Sequence, residues 1–267
     1  MAKISSESRE FLKMKSEPYK TKITASLEKE KSVLASIQAN PEGAAYKKLA
    51  LSEEMIYIAT LYITINNLSV SLIGAKDNEA LNDARKVLYK AIIYLEEIVS
   101  SFVDIQYSEI EDKVAAISET SIEKRFSLVR KLGLAIRLLE DAFGDNSKWK
   151  WSFVEINGRF TTVAKNLIDM KQACKDYFEP SSENYDNSVL YIRLIKKLLD
   201  QSATQYRDRY ELSTHRVDDM RLAINYLSAS RRVSILLGNS EEAEEIKKKG
   251  AVWKGKMDSD QKAGISS

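Results

Sequence analysis

The stretch WKWSFVEINGRFTTVAKNLIDMKQACKDY, residues 149–177, decides the fold class. Within it Trp149, Phe153, Ile156, Phe160, Val163, Leu167, Met170, Cys174 and Tyr177 recur at spacings of four, three, four, three without interruption. An α-helix places residues so spaced on one stripe, which must be buried against neighbouring helices. The same periodicity returns on both sides of this seam. The chain is therefore all-α, an elongated antiparallel helical bundle or irregular helical array of seven or eight helices.

Composition supports that reading. Average usage at 267 residues would give roughly 19 Gly and 13 Pro, whereas the chain has 9 and 3. Long helices joined by short connections follow. A hydrophobic fraction of 44% with 30% charged residues describes a globular chain, and a net charge of +2 provides no general basic field for nucleic acid or an anionic membrane. Cys174 is the single cysteine, so no internal disulfide and no cysteine-based zinc site is available. The N-terminal residues carry no apolar run of signal-peptide length, and the expected location is the cytoplasm, with a membrane-associated assembly as the other location.

Working outward, a first helix is expected to begin near Pro18, with Ser16 as its cap, after a mobile N-terminus over 1–15. A second runs from about Pro41 to Gly74 and a third from Asp77 or Asn78 through Ile105, continuing bent or broken to Ile117. A fourth spans Ile122 to Phe143, closed by Gly144-Asp145-Asn146. The seam helix fills about 147–178. Glu179 to Asn184 is the best linker candidate, which separates a long-helix bundle over 16–178 from C-terminal helices over 179–257 packed on it in one structural domain. The tail over 258–267 reads as mobile.

Residues 55–75 carry no charge over 21 positions, long enough to span a membrane. Asn66 and Asn67 at its middle argue against a span and for a buried helix. A β-hairpin turning at Asn66-Asn67 is the other alternative, although the helical stripe is longer.

Few residues are equipped for chemistry. His215 is the only histidine and lies beside a helix start, and Cys174 falls in the seam. No Gly-x-Ser-x-Gly elbow, phosphate-binding glycine loop or dinucleotide turn is present. Asp218-Asp219 lacks the third acid that would hold magnesium. No catalytic residue, cofactor or metal is assigned. The paired bases Lys124-Arg125, Arg130-Lys131, Lys196-Lys197 and Arg231-Arg232 lie close to acids or core positions, which argues against nucleic acid.

Interaction surfaces are the stronger reading. Trp151 is two positions from Trp149, so only one of them can join the seam. Trp151 is left to make a second core contact or to anchor a partner, a role in which Trp is enriched. Tyr206, Tyr210 and Tyr226 lie near one apolar stripe, where they line a groove between helices or form core edges wetted at the hydroxyl. The expected function is a non-enzymatic helical scaffold or adaptor that binds a protein partner or self-associates. The alternatives are a nucleic-acid-associated helical protein, a component of a membrane-associated assembly, or a helical enzyme with a carboxylate site.

The segments Ala223 to Ala229 and Leu237 to Ala243 resemble fragments of tetratricopeptide repeats, which implies a peptide- or protein-binding helical hairpin, although the period of 34 does not recur along the chain. The stretch from Arg130-Lys131-Leu132-Gly133 through Gly144 to Phe153 and on to Lys165-Asn166-Leu167-Ile168-Asp169 resembles uncharacterised cytosolic all-helical proteins of spirochaetes. That resemblance implies an all-helical fold and no particular activity.

Overall fold

The computed structural model describes residues 6–144 and 147–265. Among these there is no strand. Ten α-helices follow in order: α1 Ser6–Ala39, α2 Ala44–Ile73, α3 Asn78–Ile98, α4 Tyr107–Ala115 and α5 Ile122–Phe143. Then come α6 Ser147–Asn166, α7 Met170–Tyr177, α8 Tyr185–Arg209, α9 Val217–Leu236 and α10 Ser240–Lys262, with a π-turn over Tyr210–Thr214 between α8 and α9.

Ten helices replace the seven or eight expected, because two long stripes are each cut once. The third stripe stops at Ile98 and resumes at Tyr107, where Gln106 and Glu109 form a capping box. The seam is cut at Leu167–Asp169. There the Asp169 carboxylate accepts from the Gln172 amide at 2.9 Å and starts α7 as its N-cap. Burial is nonetheless continuous across the cut, since Leu167, Ile168 and Met170 are all in the core.

The N-terminal expectation also changes. The first helix begins at Ser6 and runs through Pro18, and the Ser16 hydroxyl donates back to the Lys13 carbonyl at 3.0 Å instead of capping a start. Residues 1–5 of the expected mobile N-terminus lie outside the described residues, as do Asp145 and Asn146 and the final two serines. Gly144, at φ 67°, closes α5 by donating to Glu140 at 2.9 Å. At the other end α10 continues to Lys262, past the expected start of a mobile tail, because Trp253, Met257 and Asp260 are buried.

The chain forms two compact units, Met1–Ile98 with Leu128–Trp149, and Val99–Ser127 with Lys150–Ser267. The division differs from the linker expected at 179–184, where a short turn-rich connection simply leads from α7 into α8.

In the first unit α2 packs against both α1 and α3. A helix covered on two sides needs more than one apolar stripe, and Met55, Ile58 and Ala59 are fully buried together. The segment around Asn66-Asn67 is helical, not a hairpin. Buried Asn66 accepts from the Asp77 amide at 3.0 Å, so its polarity is used to hold the turn into α3. Among the described residues, α2 is the one helix long and apolar enough to cross a membrane. Glu30 is buried at 3% exposure and is matched: Lys90 donates to both its oxygens at 2.8 and 3.0 Å, and the Tyr94 hydroxyl donates to it as well.

In the second unit α9 packs on α8 and α10, and α7 packs on α8. Gly158 of α6 sits where a Cβ would come within 2.5 Å of the Tyr206 ring and 2.8 Å of the Tyr226 hydroxyl. Only glycine lets α6 approach the stacked Tyr206 and Tyr226 rings, whose centroids are 5.5 Å apart. Buried Arg125 ties the unit's interior together, donating to the carbonyls of Ile117 at 2.8 Å and Leu167 at 3.2 Å.

Candidate functional site

Three of the residues singled out from sequence are core. Tyr206, Tyr210 and Tyr226 are exposed by 3% or less. The Tyr210 hydroxyl donates to Asp260 at 2.8 Å, and Tyr226 shares a hydrogen bond with Thr162 at 3.2 Å. Their burial explains the apolar stripe without a groove. Trp151 is half-buried, with the Lys150 ammonium 4.7 Å from the centre of its ring. His215 is exposed and takes a left-handed backbone at φ 49°, closing the π-turn by donating its amide to Tyr210 at 3.0 Å. Burial pushes the Cys174 thiol up to about 11, with the nearby Asp169 carboxylate adding to the effect. A thiol so protonated is a poor nucleophile at neutral pH.

The basic pairs are largely structural as well. Lys196 meets Glu242 at 2.7 Å and Arg231 meets Glu244 at 3.9 Å. Arg232 is different, and it leads to the most distinctive cavity of the second unit.

That cavity, of about 280 Å³, forms where four helix ends and a loop converge. The 99–106 loop supplies Ile105 and Gln106, and the start of α4 supplies Tyr107 and Ile110. Lys165 comes from the last turn of α6, Met170 and Lys171 from the start of α7, and Ala229, Arg232, Val233, Ile235 and Leu236 from α9. The capping residues make this convergence. Gln106 and Asp169 stop their segments short, so that α4 and α7 both begin at the cavity.

Three cations line it and no carboxylate does. Arg232 uses one terminal nitrogen, Nη1, to hold the loop, donating to the carbonyls of Asp104 and Ile105, the latter at 3.2 Å. Lys165 reaches the same Ile105 carbonyl at 3.5 Å and donates to Asn166 Oδ1 at 3.0 Å. Two positive groups thus converge on one neutral oxygen. Lys171 lies 5.4 Å from the centre of the Tyr107 ring. Among the described residues none of the three forms an ion pair.

The electrostatic consequence is visible at Lys165. Burial first, and then the Arg232 charge, bring its ammonium down to about 8, with the Asp104 carboxylate opposing them. Tyr107 is shifted the other way. Burial, and then the negative charge of the nearby Asp169 carboxylate, hold the phenol well above the usual tyrosine range.

The rim is apolar. Ile235, 50% exposed, and Leu236, 43% exposed, both line it, and the loop that leads to Ile105 is held from α6. Asn166 fixes that loop by donating to the carbonyls of Ser100 and Phe102 at 3.2 and 3.1 Å. Sequence reasoning missed this site. Lys165 stands in the last turn of α6, where the helix dipole alone accounts for a base, and Arg232 is half of a basic pair read as lying close to acids or core positions.

The TP0443 family pattern matches residues 8–261, and the chain belongs to the TP0443 family. This agrees with the resemblance to spirochaete proteins. No curated protein and no solved structure matches the chain.

Proposed function

We propose that this TP0443-family protein is a non-enzymatic helical binding protein that docks an acidic, partly apolar segment of a protein partner on the second unit. One observation carries the reading: a cavity with apolar walls whose cations, Lys165, Lys171 and Arg232, have no ion-pair partner among the described residues. Holding the buried Lys165 ammonium without a counter-ion costs stability, and a ligand of opposite charge recovers it. The exposed Ile235 and Leu236 beside the cavity supply the apolar area that such an interface uses at its centre.

A photo-crosslinking residue placed at Leu236, compared with one at exposed Leu138 of the first unit, tests the reading in the native cell. A discrete adduct at 236 that Lys171→Glu abolishes is expected, with none at 138. Equal labelling at both positions, or an adduct indifferent to Lys171→Glu, would overturn it. Trp151 is a second candidate anchor. Its replacement by Ala should weaken partner capture at unchanged helix content if it contacts the partner, and should instead lower stability if it is core.

A further inference from the structure

We infer that the cavity on the second unit receives the C-terminal carboxylate of a partner polypeptide whose last residue is large and apolar. This rests on the docking reading above and specifies the chemistry of the docked segment. Arg232 supplies the main ground. Its Nη1 is spent on the loop carbonyls of Asp104 and Ile105, which fixes the plane of the guanidinium. The edge formed by Nε and Nη2 donates to no group of the described residues. A carboxylate is the acceptor that matches two parallel N–H groups.

Lys165 shares the Ile105 carbonyl with Arg232, so both charges bear on a single spot, not on a long anionic track. Beside that spot the walls are Ile110, Met170, Ala229 and Val233. The ligand therefore needs one anion and one apolar group close together. A C-terminal residue carries both on the same Cα, whereas an internal Asp or Glu carries its carboxylate where the apolar group would have to be.

The rim decides between a polypeptide and a free acid. At about 280 Å³ the cavity falls just under the roughly 300–1,000 Å³ of sites for drug-sized ligands. A free acid short enough to enter would leave Ile235 and Leu236 uncovered. A chain that continues outward from its last residue covers them.

The test uses N-terminally fluorescein-labelled pentapeptides, Gly-Ser-Gly-Leu-X with X as Leu, Ile, Met or Phe, prepared with a free C-terminal carboxylate and as amides. Fluorescence anisotropy against the full chain reads the affinity. The carboxylate set is expected to bind about tenfold or more tighter than the amides, the loss that follows removal of a charge-assisted pair. Lys171→Glu and Ile235→Glu should each weaken it about fivefold or more at unchanged circular dichroism. Both side chains are at the surface, so these variants fold if the parent does. Arg232→Lys, which keeps the charge and removes the two-nitrogen edge, should weaken the carboxylate set and leave the amides unaffected.

Equal affinity for carboxylate and amide, or no binding of either, overturns the inference. Octanoate binding where the peptides do not overturns it too, by identifying a free acid as the ligand. If the peptides fail while the crosslink at 236 still depends on Lys171, the docking face stands and only its carboxylate chemistry falls.

Discussion

The two units hold cavities of nearly equal size and opposite lining. In the first unit a space of about 310 Å³ is bordered by Asp77, Glu79 and Asp83 with Lys20, Thr24 and Tyr62. Its acids have structural work to do. Asp77 accepts from the Ala80 amide at 2.9 Å, Glu79 lies in the first turn of α3, and Asp83 meets Lys86 at 2.8 Å. In the second unit the cations around the 280 Å³ cavity bind only neutral carbonyls or face an aromatic ring. Charge that a fold has already matched says little about ligands. Charge left over beside an apolar wall is the informative kind.

The sharpest way to break this contrast is to remove one buried charge from each unit. Glu30→Ala strands the Tyr94 hydroxyl and the Lys90 ammonium, and should destabilise the protein by about 3 kcal/mol in denaturant titration, the low end for breaking a buried pair because Lys90 is partly exposed. Lys165→Met should do the reverse. An ammonium lowered from 10.5 to about 8 is held at a cost of about 3 kcal/mol at neutral pH by the equivalence of roughly 1.4 kcal/mol per unit. Allowing for its two lost hydrogen bonds, Lys165→Met should stabilise by about 2 kcal/mol. Destabilisation by both variants would show that the second unit matches its charge as the first does.

The pH dependence carries the same sign. With its folded value depressed, Lys165 binds fewer protons in the native than in the unfolded chain between about 8 and 10.5, so its destabilisation is complete below 8 and is relieved as pH rises across that window. Burial contributes most to this, the Arg232 charge on α9 adds to it and Asp104 in the loop opposes it, with Lys171 on α7 also lining the cavity. The difference in stability between the parent and Lys165→Met should shrink between pH 8 and 10. A constant difference would remove the electrostatic account.

Packing gives a smaller pair of effects within the second unit alone. Gly158→Ala must displace the Tyr206 and Tyr226 rings and should cost about 2 kcal/mol despite the gain in helix propensity. Gly255, in the middle of α10, has open space where a Cβ would go, and Gly255→Ala should stabilise by about 0.5–1 kcal/mol. If both substitutions stabilise, the close approach of α6 to the tyrosines is not as tight as described.

How much of this was legible in the sequence follows from what periodicity measures. It reports burial, and the interior seam positions from Phe153 to Cys174 are buried as their spacing implies. It does not report where the backbone breaks, because a cap such as Asp169 occupies a solvent-side position of the stripe and leaves the spacing intact. The same blindness hid the cavity. Its walls are helix ends, and helix ends converge through loops whose geometry no heptad encodes. Trp and Tyr drew attention as interface residues by type, yet Tyr206, Tyr210 and Tyr226 are large rings that fill the interior.

Lys165 offers the most direct test of the central claim. Selective ¹³Cε labelling of lysine, with Lys165 assigned by its loss in Lys165→Met, lets its ammonium be titrated by NMR in the free protein and with the carboxylate peptides present. A midpoint near 8 is expected in the free protein, moving upward when the peptide carboxylate is bound and staying in place with the amides. A midpoint at the ordinary lysine value, or one that the peptide carboxylate leaves in place, would contradict it.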